Sequence, residues 1–349
     1  MKTLIKTSVA LLLICFTTAY RSEAKDTGFT REIKKEFPVN PDAKLVLENK
    51  YGDVHISNSN KNTVSIQVLI SVDAPDLEKA VKVFEKVKIQ FSNTADLVEA
   101  RTILEEGLKI KGGFSIDYEV VMPVTMSLEA DNKFGDLVAG EIGGKAKINV
   151  SYGDLEVNRL SNSDNLVEVK FGDAGINWIK GAVMTLKYSE FKGDYAGSIM
   201  LNAEYSKFSA SKIIVMDATF TGGDLELTTA SVLTCRSKFS DISIGSLDQK
   251  IDLINGYGNI GVDEILPGFT AISIANEYGN VELGFAPSTS FRFDVSMTYC
   301  NLDYDRGKAK VEYSNESDHN QQVRGTFGSN PSALVKITSE FGNVSFNKK

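Results

Sequence analysis

One phrase recurs along this chain, and its spacing limits the possible folds more than any other feature. In Lys147-Ile-Asn-Val-Ser-Tyr-Gly-Asp-Leu-Glu-Val157 a short alternating run ends on an aromatic, breaks at Gly-Asp and resumes. The third position of the break falls at Asp136, Asp154, Asp173, Glu190, Lys207, Asp224, Asp241, Asn259, Asn280, Asn301 and Asn343. The steps are 17–21 residues, except the last, of 42, which reads as two turns. An isolated copy, Tyr51-Gly-Asp-Val54, stands 83 residues before Asp136. A period of this size predicts one small unit stacked on copies of itself.

The local pattern gives the unit. Ile148, Val150 and Tyr152 alternate with polar residues, as do Met184, Leu186 and Tyr188. Period two marks a half-buried strand. Leu155 and Val157 restart the alternation out of phase, so the chain must turn at Gly153-Asp154. Glycine accepts positive φ there, and Asp or Asn can cap the turn. Strand, corner, strand and polar turn make one coil of a β-solenoid. The expected fold is therefore all-β: short-strand coils with a 17–21-residue repeat, after a β-rich region carrying one helix.

Stacking then predicts a column of aromatics: Phe134, Tyr152, Phe171, Tyr188, Tyr205, Phe239, Tyr257, Tyr278, Tyr299 and Phe341, with Phe220 as a displaced member. Their parity matches the aliphatics, which makes them a core ladder; the functional alternative is a strip on which sugars stack.

The chain reads as three regions. Residues 1–24 form a signal peptide, with Lys2 and Lys6 before the apolar run Val9 to Phe16 and cleavage after Ala19 or Ala24. Cys15 sits in a poor lipoprotein context behind bulky Ile14. Residues 25–125 form an N-terminal capping region, whose helix over 76–86 has an apolar stripe of Leu77, Ala80, Val81 and Phe84. Residues 126–349 carry the solenoid, interrupted by a polar loop from Ser314 to Ser332. Cleavage after 24 leaves 35 basic and 45 acidic residues, a poor match to nucleic acid or anionic membranes. Cys235 and Cys300 lie three coils apart, roughly 14 Å, and are expected to stay free thiols.

The phrases Tyr51-Gly-Asp-Val, Phe134-Gly-Asp-Leu, Tyr152-Gly-Asp-Leu, Tyr257-Gly-Asn-Ile, Tyr278-Gly-Asn-Val and Phe341-Gly-Asn-Val resemble those of the bacterial putative-adhesin β-solenoid family, over about residues 42–347. Ser replaces the glycine at Ser189, Ser206 and Ser240, and Cys300 does so once. The resemblance implies an exported stack of strands without a general catalytic site, and it carries over no binding residue.

The expected function is a non-catalytic, exported, adhesin-like surface in the periplasm, on the outer membrane or outside the cell. The alternatives are a glycan lyase or hydrolase and an envelope sensor or accessory protein binding a protein partner. No catalytic, cofactor or metal residue is assigned. Asp136, Asp154, Asp173 and Glu190 form an acidic column, but Lys207 interrupts it and Asn follows from Asn259. His55 and His319 read as solvated, and Thr221-Gly-Gly-Asp-Leu225 as a single weak echo of a calcium-binding repeat. The expected partner is an envelope protein or glycan.

Overall fold

The computed structural model describes residues 28–108 and 112–348. The expected targeting segment and Cys15 lie outside them. Among the described residues there are twenty-six strands and one helix, in a long sheet that does not close.

Most pairings are parallel, and their register follows the sequence phrase. Ile148 sits opposite Val167, Val167 opposite Met184, Met184 opposite Leu201, and Leu201 opposite Ala218. Beyond the corner, Leu155, Ala174, Phe191, Phe208, Leu225 and Ile242 follow one another in the same way. All of these side chains are buried and belong to one continuous core. A one-residue slip would send a whole strand's apolar set into water, so burial fixes the register. The polar turn expected in every repeat is absent between 174 and 257. There the strands Ala174–Lys187, Glu190–Glu204, Lys207–Thr221, Leu225–Lys238 and Ile242–Tyr257 run unbroken from corner to corner.

The isolated first copy is not isolated in space. Strand Lys44–Lys50 pairs with Ser127–Lys133, and Val54 sits opposite Leu137. On its other side this layer meets Leu97–Leu104 and Phe114–Pro123. Antiparallel partners then flank that edge: Gly28–Pro38 on Thr63–Asp73, Thr63–Asp73 on Phe114–Pro123, and Val87–Asn93 on Leu97–Leu104. The helix spans Leu77–Phe84, with Asp76 accepting from the Lys79 N–H as its cap. It buries Ala80 and Phe84; Leu77, expected in the stripe, is exposed.

The C-terminal end differs from expectation. Residues 314–332 are not a loop. Strands Ala309–Glu316 and Asn320–Phe327 form an antiparallel hairpin, and the second lies antiparallel on Phe291–Thr298. The last repeat does not follow in sequence order. Strand Ala333–Glu340 inserts between Ala271–Tyr278 and Phe291–Thr298, and Val344–Lys348 inserts between Val281–Phe285 and Leu302–Tyr304. The 42-residue step therefore spans the hairpin, and the final repeat occupies the layer before it.

Candidate binding face

The aromatic column exists, but it faces solvent. Tyr51, Phe134, Tyr152, Phe171, Tyr188, Tyr205, Phe239, Tyr257, Tyr278, Phe341 and Tyr299 are 37–61% exposed. This overturns the core-ladder reading, and the cause is local. Tyr152 continues the inward parity of Ile148 and Val150, yet its φ is +59°, in the left-handed region. That backbone turn swings the ring outward and lets Leu155 restart the inward set. Tyr51, Phe134, Phe171, Tyr188, Tyr205, Phe239, Tyr299 and Phe341 share this conformation, at φ between +49° and +65°. Such a residue costs about 1–3 kcal/mol unless its surroundings over-determine it.

The surroundings here are the neighbouring rings. Tyr51 stacks on Phe134 at 5.1 Å between centroids, Phe134 on Tyr152 at 5.0 Å, and Tyr152 on Phe171 at 4.8 Å. The stack continues through Tyr188 to Tyr205. It resumes at Phe239 and runs through Tyr257, Tyr278 and Phe341 to Tyr299. Each pair contributes about 0.5–1.5 kcal/mol. The inserted C-terminal repeat thus places Phe341 between Tyr278 and Tyr299. His319, expected to be solvated, stacks on Tyr299 at 4.6 Å and ends the ladder. Phe220 is not a displaced rung: it is buried.

The corner glycines have a different task from the one expected. At Gly153 a Cβ would stand 2.0 Å from the carbonyl oxygen of Gly135, one layer away. Glycine is there because corners stack backbone on backbone, while the aromatic carries the left-handed φ. Gly258 and Gly279 are the exceptions: they, rather than Tyr257 and Tyr278, take positive φ.

The third-position column is committed to the backbone. Oδ1 of Asp53 accepts the N–H of Asp136 at 2.8 Å, Asp136 accepts from Asp154, and Asp154 from Asp173. Asn259, Asn280 and Asn343 serve the next corner in the same way. At Lys207 the backbone N–H goes instead to the carbonyl of Ser189. Asp224, in the weak calcium echo, accepts from the Asp241 N–H at 3.4 Å. Among the described residues no group of three or more His, Cys, Asp or Glu is arranged to hold a metal ion.

A buried polar column escaped the sequence reading. Asn49, Asn132 and Asn255, two residues before their aromatics, donate to the carbonyls of Gly52, Gly135 and Gly258; Ser339 does the same to Gly342. The signal was a polar residue at an inward position.

Charged residues border the ladder. Lys50, Lys133, Lys170, Lys187 and Lys238 each precede an aromatic. The ammonium groups of Lys50, Lys133 and Lys238 lie 5.0–5.6 Å from the centroids of Tyr51, Phe134 and Phe239. A second, shorter pile has Arg159 over Trp178 at 4.3 Å and Trp178 stacked on Tyr195. His55 is separate, with Nδ1 3.0 Å from Glu119. Cys235 is buried and Cys300 half-buried, both as free thiols. Burial pushes the Cys235 thiol up to about 12.

Comparison with solved structures finds chains of low identity under two descriptions, adhesion and lipid binding. A putative adhesin from Bacteroides fragilis is 12% identical, over 90% of this chain and 96% of that one, with a TM-score of 0.28. A putative cell adhesion protein from Clostridium sporogenes is 8% identical over 91% and 100%, with a TM-score of 0.19. A putative lipid binding protein from Parabacteroides distasonis is 10% identical over 70% and 94%, with a TM-score of 0.31. No family model and no curated protein matches. Among the described residues no helix is long and apolar enough to cross a membrane.

Proposed function

We propose that this chain is an exported β-solenoid, an adhesin-like binding protein without catalytic activity, and that its exposed aromatic ladder is the face that binds. The single observation behind this reading is the ladder itself: eleven solvent-facing rings in register, most held in a backbone conformation that bulky residues avoid. A core has no use for such an arrangement. The stack presents an apolar strip with phenol hydroxyls along it and lysines beside it. That surface suits an extended polymer with apolar ring faces and hydroxyl rims, which is the chemistry of a glycan. The non-catalytic part of the proposal is supported by the acidic column: Asp136, Asp154 and Asp173 each accept the next corner's N–H, and Glu190 pairs with Lys192.

The test runs the full chain through native gels containing soluble β-glucan, xylan, mannan or chitosan, with a reducing-end assay on the same mixtures. Retarded migration in at least one polymer without new reducing ends is the expected result. Unchanged migration in all of them would overturn the glycan reading. Release of reducing ends would move the protein to the enzyme class.

A further inference from the structure

The ladder lacks one rung. At the layer between Tyr205 and Phe239 the corner residue is Gly222. It occupies a rung's place: Tyr205 N–H donates to the Thr221 carbonyl, and Gly222 N–H donates to the Lys238 carbonyl, as its counterparts do. Its φ of +73° is close to theirs.

Stacking hides ring faces, and the missing rung uncovers two. Every other ring of the ladder has a ring neighbour on both sides, including Phe114 against Tyr51 and His319 against Tyr299. Tyr205 stacks only on Tyr188, and Phe239 only on Tyr257. These two are the most exposed rings of the ladder, at 61% and 58%. Two strand spacings separate them, roughly 9.6 Å. The Tyr205 ring leans over Gly222, its Cδ1 3.0 Å from where a Cβ would stand; returned to the tilt of the other rungs, it leaves room for one six-membered ring between two aromatic faces. Polar residues flank the slot: Thr221 precedes Gly222, Asp224 stands at the third position of the same corner with its Oδ1 on the Asp241 N–H, and the Lys238 ammonium lies 5.3 Å from the Phe239 centroid.

The geometry points to a binding subsite at Gly222 that takes one pyranose ring of a glycan, sandwiched between Tyr205 and Phe239. The inference rests on the proposed glycan-binding function and places its anchor. The apolar C–H faces of the sugar pack on the two aromatic rings, and its equatorial hydroxyls reach Thr221, Asp224 and Lys238. The remaining rungs then offer edges along which the polymer continues.

Gly222→Phe fills the slot from within. The other rungs show that an aromatic sits well at this φ; the new Cβ would meet the Tyr205 ring at 3.0 Å, which a small tilt of that ring relieves. Binding of chitohexaose, cellohexaose, xylohexaose and mannohexaose is measured by calorimetry and saturation-transfer NMR on wild type, Gly222→Phe, Tyr205→Leu and Tyr195→Ala. The expected result is an affinity loss of at least tenfold for Gly222→Phe and for Tyr205→Leu, which removes one wall and guards against a filling variant that fails to fold. Tyr195→Ala, in the second pile beside Trp178 and outside the ladder, should stay within about twofold. Wild-type binding that survives in both slot variants overturns the subsite and leaves the ladder reading standing. Absence of wild-type binding to all four sugars overturns both. Tighter binding of adenosine, used as a planar probe, would overturn the assignment to a sugar ring.

Discussion

At the level of single residues, the corner divides its labour between three neighbours. The aromatic supplies the left-handed turn, the glycine supplies clearance, and the Asp or Asn supplies an acceptor for the next layer. Each role predicts a different response to substitution. Gly153→Ala pushes a methyl into the Gly135 carbonyl. It should cost about 2–3 kcal/mol in urea denaturation, as overpacking does; a cost below 0.5 kcal/mol would show that the corners do not stack as described. Asp154→Asn keeps the acceptor for the Asp173 N–H and should be nearly neutral, whereas Asp154→Ala should lose about 1 kcal/mol. Neither melt should respond to calcium or to a chelator. A calcium-dependent rise lost in Asp154→Asn would return this column to metal binding.

The outward turn of the rings was the part of the candidate site least legible in the sequence. Parity assigned Tyr152 to the core, because a strand that keeps negative φ throughout would put it there. Glycine next door looked like the residue for positive φ. One signal did point the other way: seven of the eleven rungs are Tyr, and buried phenols each need a partner. Tyr118, which is buried, has one in Thr102.

Among the elements, the repeat spacing determined the register well and the order of layers poorly. Local alternation specifies which face of a strand is buried. It says nothing about which strand lies beside it once the chain leaves and returns. The segment 60–126 leaves between the first and second copies, and the hairpin 309–327 leaves before the last. The amphipathic helix was legible through its cap and spacing, and its polar neighbours Glu78 and Lys82 pair on the outer side.

One charge cluster links three strands across the first return. Glu129 bridges Lys147, at 2.8 Å, and Lys44. Hydrogen bonds from Lys147 and then Lys44 lower its carboxyl from 4.5 to about 2. A depressed folded-state value stabilises above the unfolded one and is lost as pH falls. The stability difference between wild type and Glu129→Gln should therefore hold at neutral pH and vanish between about pH 4.5 and 2. A pH-independent difference in urea titrations would assign the effect to shape and not to charge. The effect is small, because the carboxylate is one-third exposed and solvent screens it. The thiols give an independent check on the layers. Under native conditions a maleimide should label Cys300 first and Cys235 only on unfolding, with both of them free after denaturation; a bond between them would contradict their placement.

For the whole molecule, the all-β class and the long sheet of many strands followed from the sequence because one phrase, repeated, carries both strand and corner. Function did not, because it depends on where the repeated ring points. An inward column would leave the long sheet with an ordinary polar surface. An outward column gives the long sheet one apolar, aromatic-lined edge. Nitration of the native protein by tetranitromethane, mapped by mass spectrometry, distinguishes the two directly. Tyr152, Tyr188, Tyr205 and Tyr299 should be nitrated readily, while Tyr118, buried and with its phenol pushed up to about 12, should react only on unfolding. Ladder tyrosines as protected as Tyr118 would contradict the outward column.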